Sequence, residues 1–393
     1  MSAESSWGLR AAPWRERWLN LRNRLIADPR FQRWAAAVPL TRFIARRRTR
    51  ELFDLCAGFV YSQILLACVR LHLFETLAEG PRGLAALSAT LGLSDASTLR
   101  LLRAAISLRL VRALPNERFA LDDLGASLLG NPSVFAFIEH HSLLYDDLRD
   151  PVALLRGEVS TRLSAFWPYA ADSPRSEATR GGQEQQAGTE TYGAYSALMS
   201  CSQALLAQDV LDAYPLGKRR CLMDVGGGEG AFVAAVATRW PRLGLKLLDL
   251  PPVAERARAR LAGQGMGARI ETIGINFLRD PLPQGADTAS LIRVLHDHDD
   301  ESALVVLRAI FAALPVGGAL LIAEPMAGTR GAEPIGDAYF GFYLAAMGRG
   351  RPRTVGELTR LLKAAGFSCI RVLPTRRPLL AGAVTAHKSV IFT

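Results

Sequence analysis

The segment MDVGGGEGAFVAAVATRWPRLGLKLLDLP, residues 223–251, decides the fold of the chain. An apolar run that ends at Val225 predicts a buried parallel strand. Four glycines follow it: Gly226, Gly227, Gly228 and Gly230. Apolar residues then recur at helical spacing from Phe232, and a second apolar run, 245–250, predicts the next strand. The segment therefore predicts a strand–turn–helix–strand unit of a doubly wound α/β sheet.

The glycine turn has the features of a nucleotide-binding site. Glycines let the backbone approach a ligand closely, and the N-terminus of the following helix would point free N–H groups at that ligand. Asp249 stands at the end of the second predicted strand, where a carboxylate can accept hydrogen bonds from both hydroxyls of a ribose. The pattern Gly226-x-Gly228-x-x-Ala231 fits a dinucleotide and S-adenosylmethionine equally well, so this segment alone leaves both ligands open.

Length and composition set the broad class of the protein. The chain has 393 residues and 49% hydrophobic content, enough for two domains with their own cores. Its five cysteines include no CxxC pair, which favours a reducing compartment over a disulfide framework or a zinc site. No cleavable signal peptide is expected, and the longest apolar stretch, Leu55–Val69, looks too short to span a bilayer.

The net charge of +10 is concentrated in residues 1–50, the N-terminal arm, which holds 12 arginines against three acidic residues. The rest of the chain is nearly neutral, which argues against a nucleic-acid partner. A stripe of apolar residues recurs in the arm at helical spacing: Trp14, Trp18, Leu21 and Leu25. Arginines border this stripe, as in helices that lie in a membrane interface. We expect the arm to bind a membrane surface, with packing on the protein or organelle targeting as alternatives.

Residues 51–130 predict two amphipathic helices joined at Gly92, followed by a hairpin around Pro115–Asn116. Such a winged helix can bind DNA. The candidate recognition helix, 97–110, carries only three arginines among continuous apolar residues. We therefore expect a dimerisation domain instead.

The remainder of the chain predicts a linker and a sheet domain. Residues 131–213 are expected to form a helical linker that contacts the substrate and includes a mobile loop. Residues 214–393 alternate strand and helix, as in a doubly wound parallel sheet. The strands are predicted at 222–225, 245–249, 269–273, 288–294 and 318–323.

Two further segments place reactive side chains where predicted strands end. SLIRVLHDHDDE, residues 290–301, contains His296, and ALLIAEPM, residues 319–326, contains Glu324. A histidine and a glutamate at neighbouring strand ends can form a general base with an orienting carboxylate. The His-x-His spacing has no third ligand at a recognisable distance in sequence, so no metal site is predicted.

Taken in order, DVGGGEG, DLP, LHDHDDE, AEP and GRPRT…LLKAAGF resemble the motifs of S-adenosylmethionine-dependent O-methyltransferases of the caffeate/hydroxyindole type. The resemblance covers most of residues 51–393. It favours the methyl donor over a dinucleotide, because dehydrogenases do not share the ordered set. It implies a homodimer in which a helical winged-helix dimerisation domain precedes a Rossmann-like methyltransferase domain.

The resemblance also implies roles for single residues. The cofactor-binding set would be Gly226, Gly228, Asp249, Asn276, Phe277 and Arg293. Asn276 and Phe277 would flank the adenine, His296 would be the general base, and Glu324 would hold it in place. Two departures stand out: Ile275 and Pro352 occupy positions where the family commonly has acidic residues. The adenine contact should therefore differ, and an active site with one carboxylate fewer suggests an acceptor unlike an acidic phenol.

Within the family, RVLHDHDD, GRGRPRT and the Arg/Trp-rich leader resemble enzymes of purple bacteria that methylate the tertiary 1-hydroxyl of acyclic carotenoids. This implies a lipophilic acceptor and a cytoplasmic enzyme held peripherally at the inner or intracytoplasmic membrane. The expected neutral pocket wall comprises Tyr192, Tyr195, Met199, Tyr339, Phe340, Phe342, Tyr343 and Met347. Another lipophilic acceptor, such as a bacteriochlorophyll precursor or a phenol, is the alternative.

Overall fold

A computed structural model of the chain describes residues 13–166, 206–378 and 381–389. The chain divides into two compact units, the first ending at Leu129 and the second beginning at Gly130. The predicted division into four segments stays a prediction.

The first unit is helical with a small antiparallel sheet. Its helices are α1 (Pro13–Ala27), α2 (Pro29–Ala37), α3 (Arg42–Arg70), α4 (Leu73–Ala78), α5 (Leu84–Leu91), α6 (Asp95–Ser107) and α7 (Asp123–Leu129). Its strands are β1 (Arg82–Gly83), β2 (Val111–Leu114) and β3 (Arg118–Leu121), in the order β1-β3-β2.

The predicted winged-helix elements are confirmed. Gly92 ends α5 in the left-handed conformation, which glycine adopts without steric cost. Ser94 caps α6, because its side chain accepts a hydrogen bond from the backbone N–H of Ser97. The hairpin of β2 and β3 turns at residues 115–117 as expected, whereas the two-residue β1 was too short to predict.

From Pro13 onward, the N-terminal arm comprises α1, α2 and the first third of α3. The four stripe residues of α1 are between 49% and 68% exposed, so the described part of this unit does not bury them. Fourteen of the 21 exposed large hydrophobic residues in the described chain lie between Trp14 and Val60. The arginines stay beside the stripe: Arg15 lies over the ring of Trp14 and Arg22 over that of Trp18.

The apolar stretch Leu55–Val69 belongs to α3, which is 29 residues long. Among the described residues, α3 is the single helix whose length and composition would allow it to cross a membrane. The expectation that this stretch is too short to span a bilayer considered only residues 55–69. It did not include the remaining residues of α3.

The second unit is built on a seven-stranded sheet. Its strands are β4 (Cys221–Val225), β5 (Gly244–Asp249), β6 (Ile270–Gly274), β7 (Thr288–Ile292), β8 (Ala319–Glu324), β9 (Ser368–Leu373) and β10 (Gly382–His387). They lie in the order β6-β5-β4-β7-β8-β10-β9. The five predicted strands are all present and parallel, but β10 pairs antiparallel with both β8 and β9, so the sheet is mixed at one edge.

Helices precede, connect and follow the strands of this sheet along the chain. The helices that precede β4 in the chain are α8 (Pro132–Asp147), α9 (Pro151–Arg156), α10 (Arg162–Phe166) and α11 (206–213). Those between and after the strands are α12 (Ala231–Arg239), α13 (Pro251–Gly263), α14 (Asp300–Ala313), α15 (Gly341–Met347) and α16 (Val355–Ala364). A π-helix, Pro334–Phe340, runs directly into α15.

The strand order positions the site. The chain leaves β4 towards β5 on one side, and β7 later pairs on the other side of β4. In open α/β sheets, ligands bind at such a reversal, outside the carboxyl ends of the strands. Gly226, Asp249, Arg293 and Pro325 each follow or end one of four adjacent strands at this edge.

Candidate active site

The glycine turn closes tightly over the end of β4. Gly226, Gly228 and Gly230 all have positive φ, a conformation that a side chain with a Cβ strains to adopt. A Cβ at Gly226 would lie 2.8 Å from Val294, whereas one at Gly228 would meet no heavy atom of the described residues within 4 Å. The turn is therefore packed on its inner side and open at Gly228, where a ligand has room.

Asp249 joins the turn to the end of β5. Its carboxylate is fully buried and accepts hydrogen bonds from the backbone N–H groups of Gly228, at 2.8 Å, and Leu250, at 2.7 Å. The structure thus brings Asp249, the residue predicted to bind a ribose, together with Gly228 of the predicted glycine turn. Hydrogen bonds of this kind hold a carboxylate in one orientation.

Asn276 and Phe277 have local roles as well. The side-chain oxygen of Asn276 accepts from the backbone N–H of Leu278 at 3.1 Å. Phe277 is 2% exposed, lies in the core beside the sheet, and meets the ring of His298 edge-on. Their predicted contact with an adenine stays a prediction.

His296 lies on a short 3-10 turn, Leu295–Asp297, that follows β7. The chain enters this turn through Arg293, whose φ of 59° is left-handed and unusual for a residue with a long side chain. Strained backbone of this kind is concentrated at functional sites. His296 itself is only 4% exposed, and its Nδ1 has no hydrogen-bond partner among the described residues.

The carboxylate that meets the imidazole differs from the one expected. Glu324 accepts a hydrogen bond from the backbone N–H of His296 at 3.0 Å, so it holds the residue by its main chain and does not orient the ring. Nε2 of His296 instead lies 3.2 Å from Oδ1 of Asp297. The ring thus contacts its neighbour in sequence, the last residue of the 3-10 turn.

Burial controls the charge of this cluster. It lowers the pKa of His296 well below 6.5, and the positive charges of Arg293 and Arg353 lower it further. Burial likewise raises the pKa of Asp297, and it raises that of Glu324 to about 7. The imidazole is therefore neutral near pH 7, the form in which a histidine can accept a proton.

A buried arginine that the sequence analysis did not single out holds the histidine turn. Arg353 is 1% exposed and donates to the carbonyl oxygens of Leu295, at 2.5 Å, and His298, at 2.6 Å. It also forms an ion pair with Asp300 at 2.8 Å. Since these acceptors lie on both sides of His296, the guanidinium fixes the turn as a unit.

Gly350 brings the arginine segment against the turn. A Cβ at this position would lie 2.1 Å from the carbonyl oxygen of His296, and its φ is +80°. The next residue, Arg351, donates its backbone N–H to that same oxygen at 2.9 Å. The position of Pro352, where the family commonly has a glutamate, thus belongs to a segment that supports the histidine through its backbone.

An aromatic wall stands next to His296. The ring centroids of Phe340 and His296 are 6.3 Å apart. Tyr339 meets Phe340 edge-on, with their ring centroids 5.1 Å apart. Tyr343 stacks on Tyr339, with ring centroids 5.9 Å apart. Three residues of α8, which the sequence analysis did not propose, contact these tyrosines: Phe137, His140 and His141.

The other predicted wall residues are placed differently. Met347 is 4% exposed and packs in a core formed by α8, α9, α10 and α15, where Phe342 also packs. Tyr192, Tyr195 and Met199 lie outside the described residues. Of the eight predicted residues, Phe340 contacts the His296 ring, and Tyr339 and Tyr343 contact Phe340.

His298 is a packing residue in this structure. It is 3% exposed, and burial lowers its pKa to about 4, with Arg353 adding to the effect. Within the described segments, no group of three or more His, Cys, Asp or Glu side chains could hold a metal ion.

The arrangement fits S-adenosylmethionine. The turn is open at Gly228, the buried Asp249 carboxylate lies against it, and the unpartnered nitrogen of His296 follows the adjacent strand. Gly226, Gly228 and Asp249 would hold the donor, and His296 would stand on the acceptor side.

Comparison with protein families agrees with this geometry. A model of the O-methyltransferase domain matches residues 145–368, and one of the O-methyltransferase dimerisation domain matches residues 53–131. The chain is 44% identical over 363 residues to the demethylspheroidene O-methyltransferase of Cereibacter sphaeroides, covering 92% of this chain and 93% of that protein. It is 36% identical to the enzyme of the same name from Rhodobacter capsulatus, covering 96% and 92%.

Solved structures show the same fold. Mitomycin 7-O-methyltransferase is 26% identical, with a TM-score of 0.69 over 88% of this chain and 99% of that one. Human N-acetylserotonin methyltransferase, solved in complex with S-adenosylmethionine, is 23% identical, with a TM-score of 0.70 over 87% and 98%. The predicted class, an α/β methyltransferase domain preceded by a helical dimerisation domain, is confirmed, although the sheet is mostly and not wholly parallel. The chain belongs to the S-adenosylmethionine-dependent O-methyltransferases.

Proposed function

We propose that this enzyme transfers the methyl group of S-adenosylmethionine to the tertiary 1-hydroxyl of acyclic carotenoids such as hydroxyneurosporene and demethylspheroidene. The observation that carries the proposal is the buried, neutral His296, which stands beside a wall of aromatic rings. The two bacterial relatives that bear the name demethylspheroidene O-methyltransferase support the choice of acceptor.

The chemistry asks two things of the protein. S-adenosylmethionine supplies a methyl group on a positively charged sulfur, and that charge disappears as the methyl leaves, so a water-excluding site favours transfer. A tertiary alcohol is a very weak acid, and its proton must depart as the new bond forms. Nδ1 of the neutral His296 takes this proton, while Nε2 lies 3.2 Å from Oδ1 of Asp297.

The wall suits a polyene better than a polar acceptor. Aromatic faces bury large apolar area, and the tyrosine, phenylalanine and histidine rings beside His296 form a continuous set of contacts. Burial lowers the pKa of His140 to about 4 and also lowers that of His141, so both are neutral. The wall therefore presents no full charge to the acceptor from these two side chains.

Product analysis tests the proposed acceptor. The enzyme is incubated with S-adenosylmethionine labelled in its methyl group and with a detergent-solubilised acyclic 1-hydroxycarotenoid, in parallel with a lipophilic phenol. We expect label in a carotenoid methyl ether. Transfer to the phenol with none to the carotenoid would refute the proposed substrate while leaving the reaction class intact.

We further propose that the enzyme is a homodimer held at a membrane surface by its N-terminal arm. A dimerisation domain spans residues 53–131, and the exposed apolar stripe of α1 lies among arginines. A carotenoid acceptor dissolves in lipid, which gives a surface-bound enzyme direct access to it. The proposed location is the cytoplasmic face of the inner or intracytoplasmic membrane.

Deleting residues 1–50 should release the enzyme from anionic liposomes at low salt. Each basic residue near such a surface contributes about 1 kcal/mol, so four engaged arginines amount to about 4 kcal/mol, a roughly thousandfold change in partitioning. Co-sedimentation with vesicles measures it. Activity on solubilised carotenoid should survive, and activity on carotenoid embedded in vesicles should fall.

A pair of point variants separates the stripe from the rest of the deleted segment. The double change Trp14→Ser and Trp18→Ser should also weaken binding, whereas Leu124→Ser, which alters an exposed apolar residue of α7, should not. Equal sedimentation of the full-length and truncated proteins would show that the arm is not the membrane contact.

A further inference from the structure

The two stacked tyrosines of the aromatic wall differ in what their hydroxyls contact. The Tyr343 hydroxyl lies 2.9 Å from Nε2 of His140, and the pair is held between the α15 segment and α8. The Tyr339 hydroxyl is buried, yet among the described residues it has no hydrogen-bond partner. Buried hydroxyls without a partner are rare, because the group loses its hydrogen bonds to water and gains none in return.

The unpartnered hydroxyl belongs to the neighbourhood of the general base. Tyr339 meets Phe340 edge-on, and Phe340 in turn lies against His296. Burial raises the pKa of Tyr339, and the positive charge of Arg293 opposes that rise, as it does for Tyr343. The positive charge of the same arginine also lowers the pKa of His296. The Tyr339 hydroxyl keeps its proton under ordinary conditions and is available as a donor.

The backbone around Tyr339 is fixed before any acceptor binds. A Cβ at Gly336, on the π-helix, would lie 2.4 Å from the carbonyl oxygen of Met326, so the helix packs directly on the chain that leaves β8. Asp337 accepts from the backbone N–H of Gly328 at 2.8 Å. These contacts pin the π-helix to the strand end that carries Glu324, and the ring of Tyr339 contacts those of Tyr343 and Phe137.

We propose that the Tyr339 hydroxyl positions the acceptor by donating a hydrogen bond to the oxygen that is methylated. The proposal rests on the proposed function. It makes the Tyr339 hydroxyl the group by which the site selects an acceptor that carries a hydroxyl over a polyene that has none. An alcohol oxygen has one proton and two lone pairs. The proton faces Nδ1 of His296, one lone pair attacks the methyl carbon, and the other accepts the hydrogen bond from Tyr339.

The bonds, electrons and proton of this step balance. The oxygen–methyl bond forms as the sulfur–methyl bond breaks, the sulfur keeps the electron pair, and the acceptor proton moves to His296. Tyr339 keeps its own proton and acts as a positioning residue. A site that provides a buried donor discriminates strongly against an analogue without the matching oxygen, because that donor then stays unpaired.

The variant Tyr339→Phe tests the role. The measurements are kcat and KM for a solubilised acyclic 1-hydroxycarotenoid, the inhibition constant of the same polyene without the hydroxyl, and the affinity for S-adenosylhomocysteine. We expect kcat/KM to fall about tenfold, the usual size of one lost hydrogen bond of this kind. The polyene without a hydroxyl should inhibit the variant at least as tightly as it inhibits the wild type, and S-adenosylhomocysteine should bind both within about twofold.

Tyr343→Phe is the matched control. It removes a hydroxyl that already has a protein partner, Nε2 of His140, so it should lower thermal stability while the preference for the hydroxylated polyene persists. A Tyr339→Phe enzyme with unchanged kcat/KM would overturn the proposal, as would equal loss of preference in both variants. If the wild type methylates a phenol and no carotenoid, the carotenoid proposal fails, and the same comparison with that phenol and its deoxy analogue still decides the role of Tyr339.

Discussion

Replacing His296 with alanine should lower the turnover number about 10²–10⁴-fold, which corresponds to about 3–5 kcal/mol of activation free energy. The side chain is buried, neutral and unpartnered at Nδ1, so it is placed to take the acceptor proton. Affinity for S-adenosylhomocysteine, measured by calorimetry, should stay nearly unchanged, since Gly228 and Asp249 form the other part of the site. Added imidazole should restore part of the lost rate.

His298→Ala provides the comparison. This second histidine, directly after the 3-10 turn, is equally buried but packs on Phe277 in the core. Its removal should lower the free energy of unfolding more than it lowers the rate of methyl transfer. A His296→Ala enzyme within about threefold of the wild type, a loss far below that of a missing general base, would exclude His296 from proton transfer.

Replacing Arg353 with methionine should reduce the free energy of unfolding by about 2–5 kcal/mol, because the carbonyl oxygens of Leu295 and His298 lose their buried donor. Turnover should fall as well, since those carbonyls flank His296. Urea unfolding measures the first effect, and a methyl-transfer assay at a temperature where the variant is folded measures the second.

Arg351→Met is the matched control for this change. Arg351 also pairs with Asp300, but its side chain is 42% exposed, and exposed ion pairs contribute about 0–1 kcal/mol. If the two variants were equally stable, the buried guanidinium would not be what fixes the histidine turn.

Much of the fold was predictable because its strands are apolar over their whole length. All five positions of β7 and all six of β8 are buried, and such runs between turn residues are typical of central parallel strands. The two strands at the antiparallel edge of the sheet, β9 and β10, were harder to predict. β9 alternates and is largely exposed, and β10 contains glycine, two alanines and a threonine, so neither forms a continuous run of large apolar residues. The antiparallel pairing of β10 has no local signature in the sequence.

The residues of the site were predictable where they follow strands. Asp249 and His296 were found because the ends of predicted strands point to one edge of the sheet, and the structure places both there. Their partners depend on tertiary contacts. Asp297 was visible in the motif, but its contact with the imidazole comes from the 3-10 turn. Glu324 was assigned to the ring and contacts the main chain, a distinction that spacing in sequence does not carry.

Other participants gave weaker signals. Arg353 is one of 47 basic residues and follows a proline, and only its burial identifies it as a support of the turn. His140 and His141 lie on α8, about 150 residues before the histidine turn in the chain, with no motif around them. The unsatisfied hydroxyl of Tyr339 is a property of packing and has no counterpart in the sequence.

The π-helix that carries Tyr339 and Phe340 makes this wall sensitive to length as well as to composition. A π-turn holds one more residue than an α-turn, and each residue of an α-helix rotates its side chain by about 100°. Deleting a single residue within 334–340 would let the segment relax to an α-helix and turn a different set of side chains towards His296. Meanwhile the base stays fixed by Arg353 and Gly350. A change of length in this segment would therefore alter the wall that faces the acceptor without exchanging any residue that performs the transfer.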